Sequence, residues 1–150
     1  MPNAKQYKNF LVAIDFSDAT KQVIERAIEL AASTKAKLSL LHVVEYYPLI
    51  GIGADLPTAY NWDIPEHELH EAAETSLDNF IKQYSLGEID RVVSFGPVHH
   101  EIVAQAKKNK SDLIIVGSHG RHGVGLLLGS TANGVMHHAE CDVLAVKIVK

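Results

Sequence analysis

Five short runs of apolar residues, four to seven positions long, recur along the chain. Their apolar residues are nearly continuous rather than alternating with polar ones, which is typical of strands covered on both faces in a parallel sheet. β-Branched residues are frequent in them, which favours strands over helices. The predicted strands are residues 10–14, 38–44, 91–95, 113–116 and 143–149.

The segments between these strands carry apolar residues at helical spacing. Ser17 is the expected N-cap of the first helix, and Pro65 occupies a first-turn position of the second. The predicted helices span residues 17–34, 65–84, 98–110 and 129–138. Five strands alternating with four helices, without a linker or repeat, predict one α/β domain over residues 1–150: a doubly wound parallel sheet with helices on both faces.

Residues 45–63 follow neither a helical nor a strand period and are interrupted by prolines and glycines. A loop of this length inside a compact domain is usually functional or mobile. It also holds four aromatic residues: Tyr46, Tyr47, Tyr60 and Trp62. We expect a partly ordered flap over one sheet edge or over a ligand.

Composition and charge exclude several classes of function. The 150 residues carry a formal net charge of −4, and no run of Lys or Arg is long enough to indicate nucleic-acid binding. No apolar stretch reaches the roughly 18–20 residues of a membrane-spanning helix, and the N-terminal lysines precede no apolar export signal. Cys141 is the only cysteine, which suits a reducing compartment. The sequence predicts a cytoplasmic protein with no nucleic-acid or membrane partner.

A glycine-rich loop follows the fourth strand and contains Gly117, Gly120, Gly123 and Gly125. Gly129, Ser130 and Thr131 then begin the last helix. Glycines let the backbone approach an anion closely, and a helix N-terminus adds a partial positive charge, so the segment predicts a phosphate-binding loop. It is not a Walker A sequence, because no GK[ST] follows, and it is not GxGxxG, because Gly129 falls one position late.

This loop resembles that of the universal stress protein family, whose nucleotide-binding members carry G-x2-G-x9-G-[ST]. Gly117-Ser118-His119-Gly120 matches the first half and Gly129-Ser130 the second, with a spacer of eight residues, 121–128, instead of nine. The resemblance covers nearly the whole chain. It implies an adenine-nucleotide alpha-hydrolase-like fold with strand order 3-2-1-4-5, and hence a ligand crevice between the first and fourth strands.

The resemblance also implies which residues hold the ligand. Asp15, directly after the first strand, would contact the nucleotide, with a helix-capping role as the alternative. The backbone of Val43 would contact the adenine edge, while His42 is expected to be a packed strand residue. The predicted nucleotide-binding residues are Asp15, Val43, Gly117, Ser118, Gly120, Gly129, Ser130 and Thr131.

Nine histidines invite a metal-site hypothesis. His67 and His70 can share a helix face, but spacing fixes no further ligand, so an exposed helix face is favoured and no metal site is predicted. The adjacent pairs at 99–100 and 137–138 follow no metal pattern. Three loop residues are better placed as electropositive neighbours of a polyphosphate: His119, Arg121 and His122.

No nucleophile is paired with a base, so no catalytic residue is predicted, and Cys141, between two carboxylates, is expected to be structural. The last strand, 143–149, would be a sheet edge, and the resemblance implies a homodimer through it. We expect a stress-response protein that binds ATP, ADP or AMP, with or without Mg²⁺ or Mn²⁺, as a regulatory ligand. Two alternatives stay open: a member acting only through protein contacts, which the short spacer favours, and a slow nucleotide hydrolase.

Overall fold

The computed structural model of the protein describes residues 5–45, 65–119 and 128–149. Strands and helices alternate along these residues, as the apolar pattern predicted. The elements are β1 (Asn9–Ile14), α1 (Ala19–Thr34), β2 (Lys37–Glu45), α2 (Glu66–Gln83), β3 (Asp90–Gly96), α3 (Val98–Lys108), β4 (Leu113–Gly117), α4 (Ser130–His138) and β5 (Asp142–Val146). Apart from Glu45, which ends β2, the predicted flap lies outside the described residues.

All five strands form one parallel sheet in the order β3-β2-β1-β4-β5, which confirms the predicted topology. β1 lies at the centre, where Val12 is level with Leu40 of β2 on one side and with Ile115 of β4 on the other. The chain leaves β1 towards β2 and later returns to its other side as β4. Loops at the carboxyl ends of β1 and β4 therefore diverge, and this divergence opens a crevice between them.

The two faces of the sheet bury separate hydrophobic cores. Phe10, Val12 and Ile14 of β1 face one core, which α1 and α2 cover with Ile24 and Leu77 among others. The alternate residue of β1, Leu11, faces the second core, where the covering side chains come from α3 and α4: Ile102, Ala106, Ala132 and Val135. Each fully buried Leu or Ile contributes about 1.5–3 kcal/mol, so this double coverage explains why the strands are continuously apolar.

The predicted N-cap of the first helix is wrong by one residue. α1 begins at Ala19, and Asp18 occupies the N-cap position without a side-chain capping hydrogen bond. Ser17 is not the cap because its hydroxyl donates to the Asp15 carboxylate at 2.6 Å instead. None of the described helices is both long enough and apolar enough to cross a membrane.

The last strand is shorter than predicted. β5 ends at Val146, whose carbonyl accepts from the Ser118 amide at 2.8 Å. Beyond it, the Ile148 amide donates to the Ser118 hydroxyl, and the Val149 amide and carbonyl bond to the Gln22 side chain of α1 at 3.0 and 2.9 Å. These side-chain partners replace the strand ladder after Val146, so the apolar run continues while the strand does not.

Candidate functional site

A cavity of about 350 Å³ lies at the carboxyl ends of β1, β2 and β4, over the crevice between β1 and β4. The first turn of α4 forms one wall, and the turn between β1 and α1 forms another. Apolar side chains from the start of α3, Val98 and Ile102, close a further side. The volume is within the range of small-ligand sites in proteins.

Asp15 anchors the turn that forms one wall of the cavity. A single carboxylate oxygen, Oδ1, accepts from the Ser17 amide at 3.0 Å, from the Ser17 hydroxyl at 2.6 Å and from the Thr20 hydroxyl at 2.9 Å. Thr20 is only 4% exposed, so the carboxylate also satisfies a buried donor. Asp15 therefore organises the start of α1, and the capping and ligand-facing hypotheses for this residue are compatible.

Phe16 and His42 form a packed pair beside Asp15. Phe16 has φ of +58°, a left-handed conformation that a bulky side chain rarely adopts. Its ring lies 4.4 Å from that of His42, between centroids, and 6.1 Å from that of Phe80. The His42 Nδ1 lies 2.9 Å from the Ile14 carbonyl, and because a carbonyl only accepts, Nδ1 carries the proton. His42 is thus a packed strand residue, as expected, although it also lines the cavity.

The two ends of the glycine loop meet at the cavity. The Gly129 amide donates to the Ser118 carbonyl at 2.7 Å, and a Cβ on Gly129 would lie only 2.9 Å from that oxygen. No side chain fits at this distance without moving the backbone, so glycine is required for the closure. This hydrogen bond brings the start of α4 next to the end of β4 in space.

The N-terminus of α4 is the electropositive part of the site. Gly129 occupies the N-cap position with extended backbone and no side-chain cap, and the first helical amide bond runs from Asn133 to the Gly129 carbonyl. The amides of the residues between them have no acceptor within the helix, as at any helix start. With the helix dipole they make this wall suited to an anion.

Six of the eight predicted binding residues line this one cavity: Asp15, Val43, Gly117, Gly129, Ser130 and Thr131. Ser118 does not line it; the residue is 8% exposed, and its hydroxyl accepts from the Ile148 amide at 3.1 Å. Gly120, with Arg121 and His122, lies outside the described residues. His119 does line the cavity, and its Nδ1 lies 3.1 Å from the Ser118 hydroxyl. That these residues bind a nucleotide stays a prediction.

Sequence reasoning missed several cavity-lining residues. Thr20 is in the first turn of a predicted helix, and its contact with Asp15 was not evident from spacing. Val98 and Ile102 of α3 also line the cavity, and neither was among the predicted site residues. Gly96-Pro97 marks the carboxyl end of β3, so the start of α3 lies at the same edge of the sheet as the other loops. This position in the sequence could have identified Val98 as a candidate site residue.

Titratable groups in the described part of the chain also lie outside this cavity. Burial first, and then the neighbouring Asp142 carboxylate, raise the pKa of the Cys141 thiol, which agrees with a structural role. Within residues 5–45, 65–119 and 128–149 no group of three His, Cys, Asp or Glu side chains is arranged to hold a metal ion. His70, one of the helix-face pair, stacks on Phe95 with centroids 6.0 Å apart.

Comparison with known sequences and structures agrees with the overall fold. The sequence model of the universal stress protein family matches residues 6–147. Universal stress protein A homolog 2 of Coxiella burnetii is 43% identical over 143 residues, which cover 95% of this chain and 96% of that protein. The structure of UspA from Lactobacillus plantarum superimposes with a TM-score of 0.72 at 26% identity, covering 97% of this chain and 100% of that one.

A third relative was solved with a ligand. It is a universal stress protein in complex with cAMP, with a TM-score of 0.64 at 25% identity, covering 95% of this chain and 98% of that one. Sequence and fold agree across almost the entire chain. The chain therefore belongs to the universal stress protein family.

Proposed function

We propose that this chain binds an adenine nucleotide, ATP or the related ADP or AMP, as a regulatory ligand in the cavity between β1 and β4. The observation that carries the proposal is the position of α4, whose N-terminus forms one wall of that cavity. Phosphate oxygens placed there would accept from the first-turn amides and meet the positive end of the helix dipole.

The other walls supply complementary chemistry for the rest of a nucleotide. The Asp15 carboxylate also lines the cavity; it would accept from ribose hydroxyls and repel phosphate, and so would orient the ligand. The base would then reach the carboxyl end of β2, where Val43 and its neighbours offer backbone groups beside apolar surface. A relative in complex with cAMP, itself an adenine nucleotide, supports this class of ligand.

Ser130→Asp tests the proposal without removing a buried group. Ser130 is exposed in the first turn of α4 and lines the cavity. An aspartate there would interact favourably with the positive end of the helix dipole, so the stability of the fold should be unchanged or higher. The same charge repels phosphate, and we expect affinity for ATP and ADP to fall about tenfold or more. Calorimetry with ATP, ADP, AMP and cAMP, each with and without Mg²⁺ or Mn²⁺, measures this.

Ser130→Asn is the matched control, because it has nearly the same shape without the charge, and it should bind within about threefold of the wild type. Thermal melting of all three proteins checks that the fold is intact. Equal nucleotide affinity in wild type and Ser130→Asp would place the phosphates elsewhere. No heat and no thermal stabilisation by any nucleotide at millimolar concentration would favour a member acting through protein contacts alone.

The edge of the sheet supports a proposal about assembly. β5 ends the strand order, so one side of its backbone faces away from the sheet. Pairing with β5 of a second copy would satisfy both edges with twofold symmetry. We therefore propose a cytoplasmic homodimer. The two copies would pair through β5, Asp142–Val146, rather than through the longer predicted segment 143–149.

A further inference from the structure

Three histidines from two helices meet on the side of α3 and α4. His99 and His100 are in the first turn of α3, and His138 is the last residue of α4. Ring centroids are 4.7 Å apart for His99 and His100, 5.3 Å for His99 and His138, and 6.3 Å for His100 and His138. The sequence pairs 99–100 and 137–138 thus contribute to one cluster across a helix–helix contact.

The cluster is part of the contact itself. A Cβ on Gly134 of α4 would lie 2.6 Å from Cγ of His99, so the His99 ring packs directly against the α4 backbone. His138 meets the same glycine, since its Nδ1 donates to the Gly134 carbonyl at 2.8 Å. The ring of His99 is therefore held between α3 and α4, with His138 stacked on it at an interplanar angle of 29°.

The electrostatic surroundings oppose a charge on His99. Burial lowers its pKa most, followed by repulsion from His100 on its own helix and from His138 on α4. Among the described residues no other charged group contributes to the lowered pKa, and neither Glu45 of β2 nor Asp90 of β3, the strands under α3, is among its causes. The stacked rings present faces rather than nitrogen atoms to one another, and no metal-holding group is found among the described residues.

We propose that His99, His100 and His138 form a proton-sensitive contact between α3 and α4, which holds the helices together when the rings are neutral and weakens on acidification. Protonation would place like charges about one ring spacing apart at a packed interface. Because the first turn of α4 forms a wall of the cavity, the contact would transmit pH to that wall. The contact itself does not depend on what the cavity binds.

The direction of the pH dependence follows from linkage. The pKa of His99 is lowered in the folded protein, so below about pH 6.5 the unfolded chain takes up the proton first. This contribution to stability is complete above about pH 6.5 and is lost as pH falls through the lower, folded-state pKa. Acidification within that window should therefore destabilise the protein through this cluster.

The test compares melting temperatures of the ligand-free protein at about pH 7.5 and about pH 5.5 in wild type, His138→Asn and His99→Phe. Asparagine retains a donor near the Nδ1 position without titrating. We expect the acid-induced decrease in Tm to be about 2–4 °C smaller in each variant than in the wild type. His137→Asn is the matched control: it makes the same change one residue earlier, at an exposed position, and should behave as the wild type.

A titration of the His99 ring by NMR provides the second readout. In the wild type its pKa should lie below the ordinary value, and in His138→Asn it should rise, because one positive neighbour is removed. If His99→Phe does not fold, His138→Asn decides the question alone. An acid-induced decrease in Tm that is the same in His138→Asn as in His137→Asn, or an unchanged His99 pKa, would overturn the proposal.

Discussion

At the residue scale, Asp15 shows how one side chain serves both the fold and the site. Its Oδ1 accepts three hydrogen bonds from Ser17 and Thr20, and the residue also faces the cavity. A carboxylate at the carboxyl end of the central strand is therefore explained by the local structure even before a ligand is considered. The sequence identified the residue as a candidate, whereas its hydrogen-bond partners were evident only in the folded turn.

Asp15→Ala should reduce the free energy of unfolding by about 1–3 kcal/mol, because the Ser17 amide and the buried Thr20 hydroxyl lose their acceptor. Urea denaturation measures this change. Asp18→Ala, three residues later, is the control: Asp18 occupies the N-cap position without a side-chain capping bond, so its removal should cost less than about 0.5 kcal/mol. Equal losses in both variants would contradict this account of the turn.

Ser118 was predicted to bind ligand, and the structure gives it a structural contact. Its hydroxyl accepts from the Ile148 amide, 30 residues away, at 3.1 Å. The same hydroxyl also lies 3.1 Å from Nδ1 of His119. No local sequence pattern predicts a partner so distant in the chain.

At the element scale, the helices follow the apolar period well in their interiors and less well at their ends. The N-cap of α1 lies one residue later than predicted, because Ser17 bonds to Asp15 rather than capping the helix. α1 ends at Thr34 as expected, but its C-cap, Lys35, has φ of +59°. Helix ends depend on single side-chain partners and backbone conformations, which periodicity does not encode.

Lys35→Gly should stabilise the protein by about 0.5–1 kcal/mol, because glycine adopts the left-handed conformation without the steric penalty of a Cβ. Lys35 is exposed, so little packing is lost. The expected increase in Tm is about 2–4 °C per kcal/mol for a chain of this size. Asn109→Gly is the comparison, since the C-cap of α3 has φ of −82° and gains nothing from glycine. A stabilisation at both positions, or at neither, would argue against this explanation.

At the scale of the whole molecule, sheet order and coverage decide where the site and the exposed edge lie. β1 is central and β5 is an edge, so the cavity and the proposed dimer contact are on different parts of one sheet. The Ser118 side chain connects them, because it follows β4 and bonds to the segment after β5. The proposed edge interface and the proposed ligand site would therefore be linked through Ser118 and the segment after β5.

Ala145→Lys should shift the protein from dimer to monomer, because a charged, bulky residue on an edge strand opposes strand pairing. Ala145 is partly exposed and packs at the second core, whereas Val146 is 9% exposed and belongs to the first, so a charge at Val146 would destabilise the fold more. Light scattering after size exclusion gives the mass, and thermal melting confirms that the variant is folded. A folded variant with unchanged dimer mass, or a monomeric wild type, would contradict the proposed interface.

The sequence by itself determined the five-strand, four-helix alternation and placed Asp15 and the glycine loop at one end of the sheet. Strands that are buried on both faces need apolar residues at nearly every position, so this burial can be read from the residues of each strand alone. The family resemblance supplied the strand order, which the structure confirms.

Only the tertiary structure decided the rest. It alone showed that β5 stops at Val146 while the apolar run continues, that the Ser118 hydroxyl bonds to the Ile148 amide, and that His99 stacks on His138. Each of these depends on a partner brought close by folding rather than by sequence spacing. Polar side chains in particular take whichever partner the fold presents, because a buried donor or acceptor left unsatisfied costs about 1–3 kcal/mol.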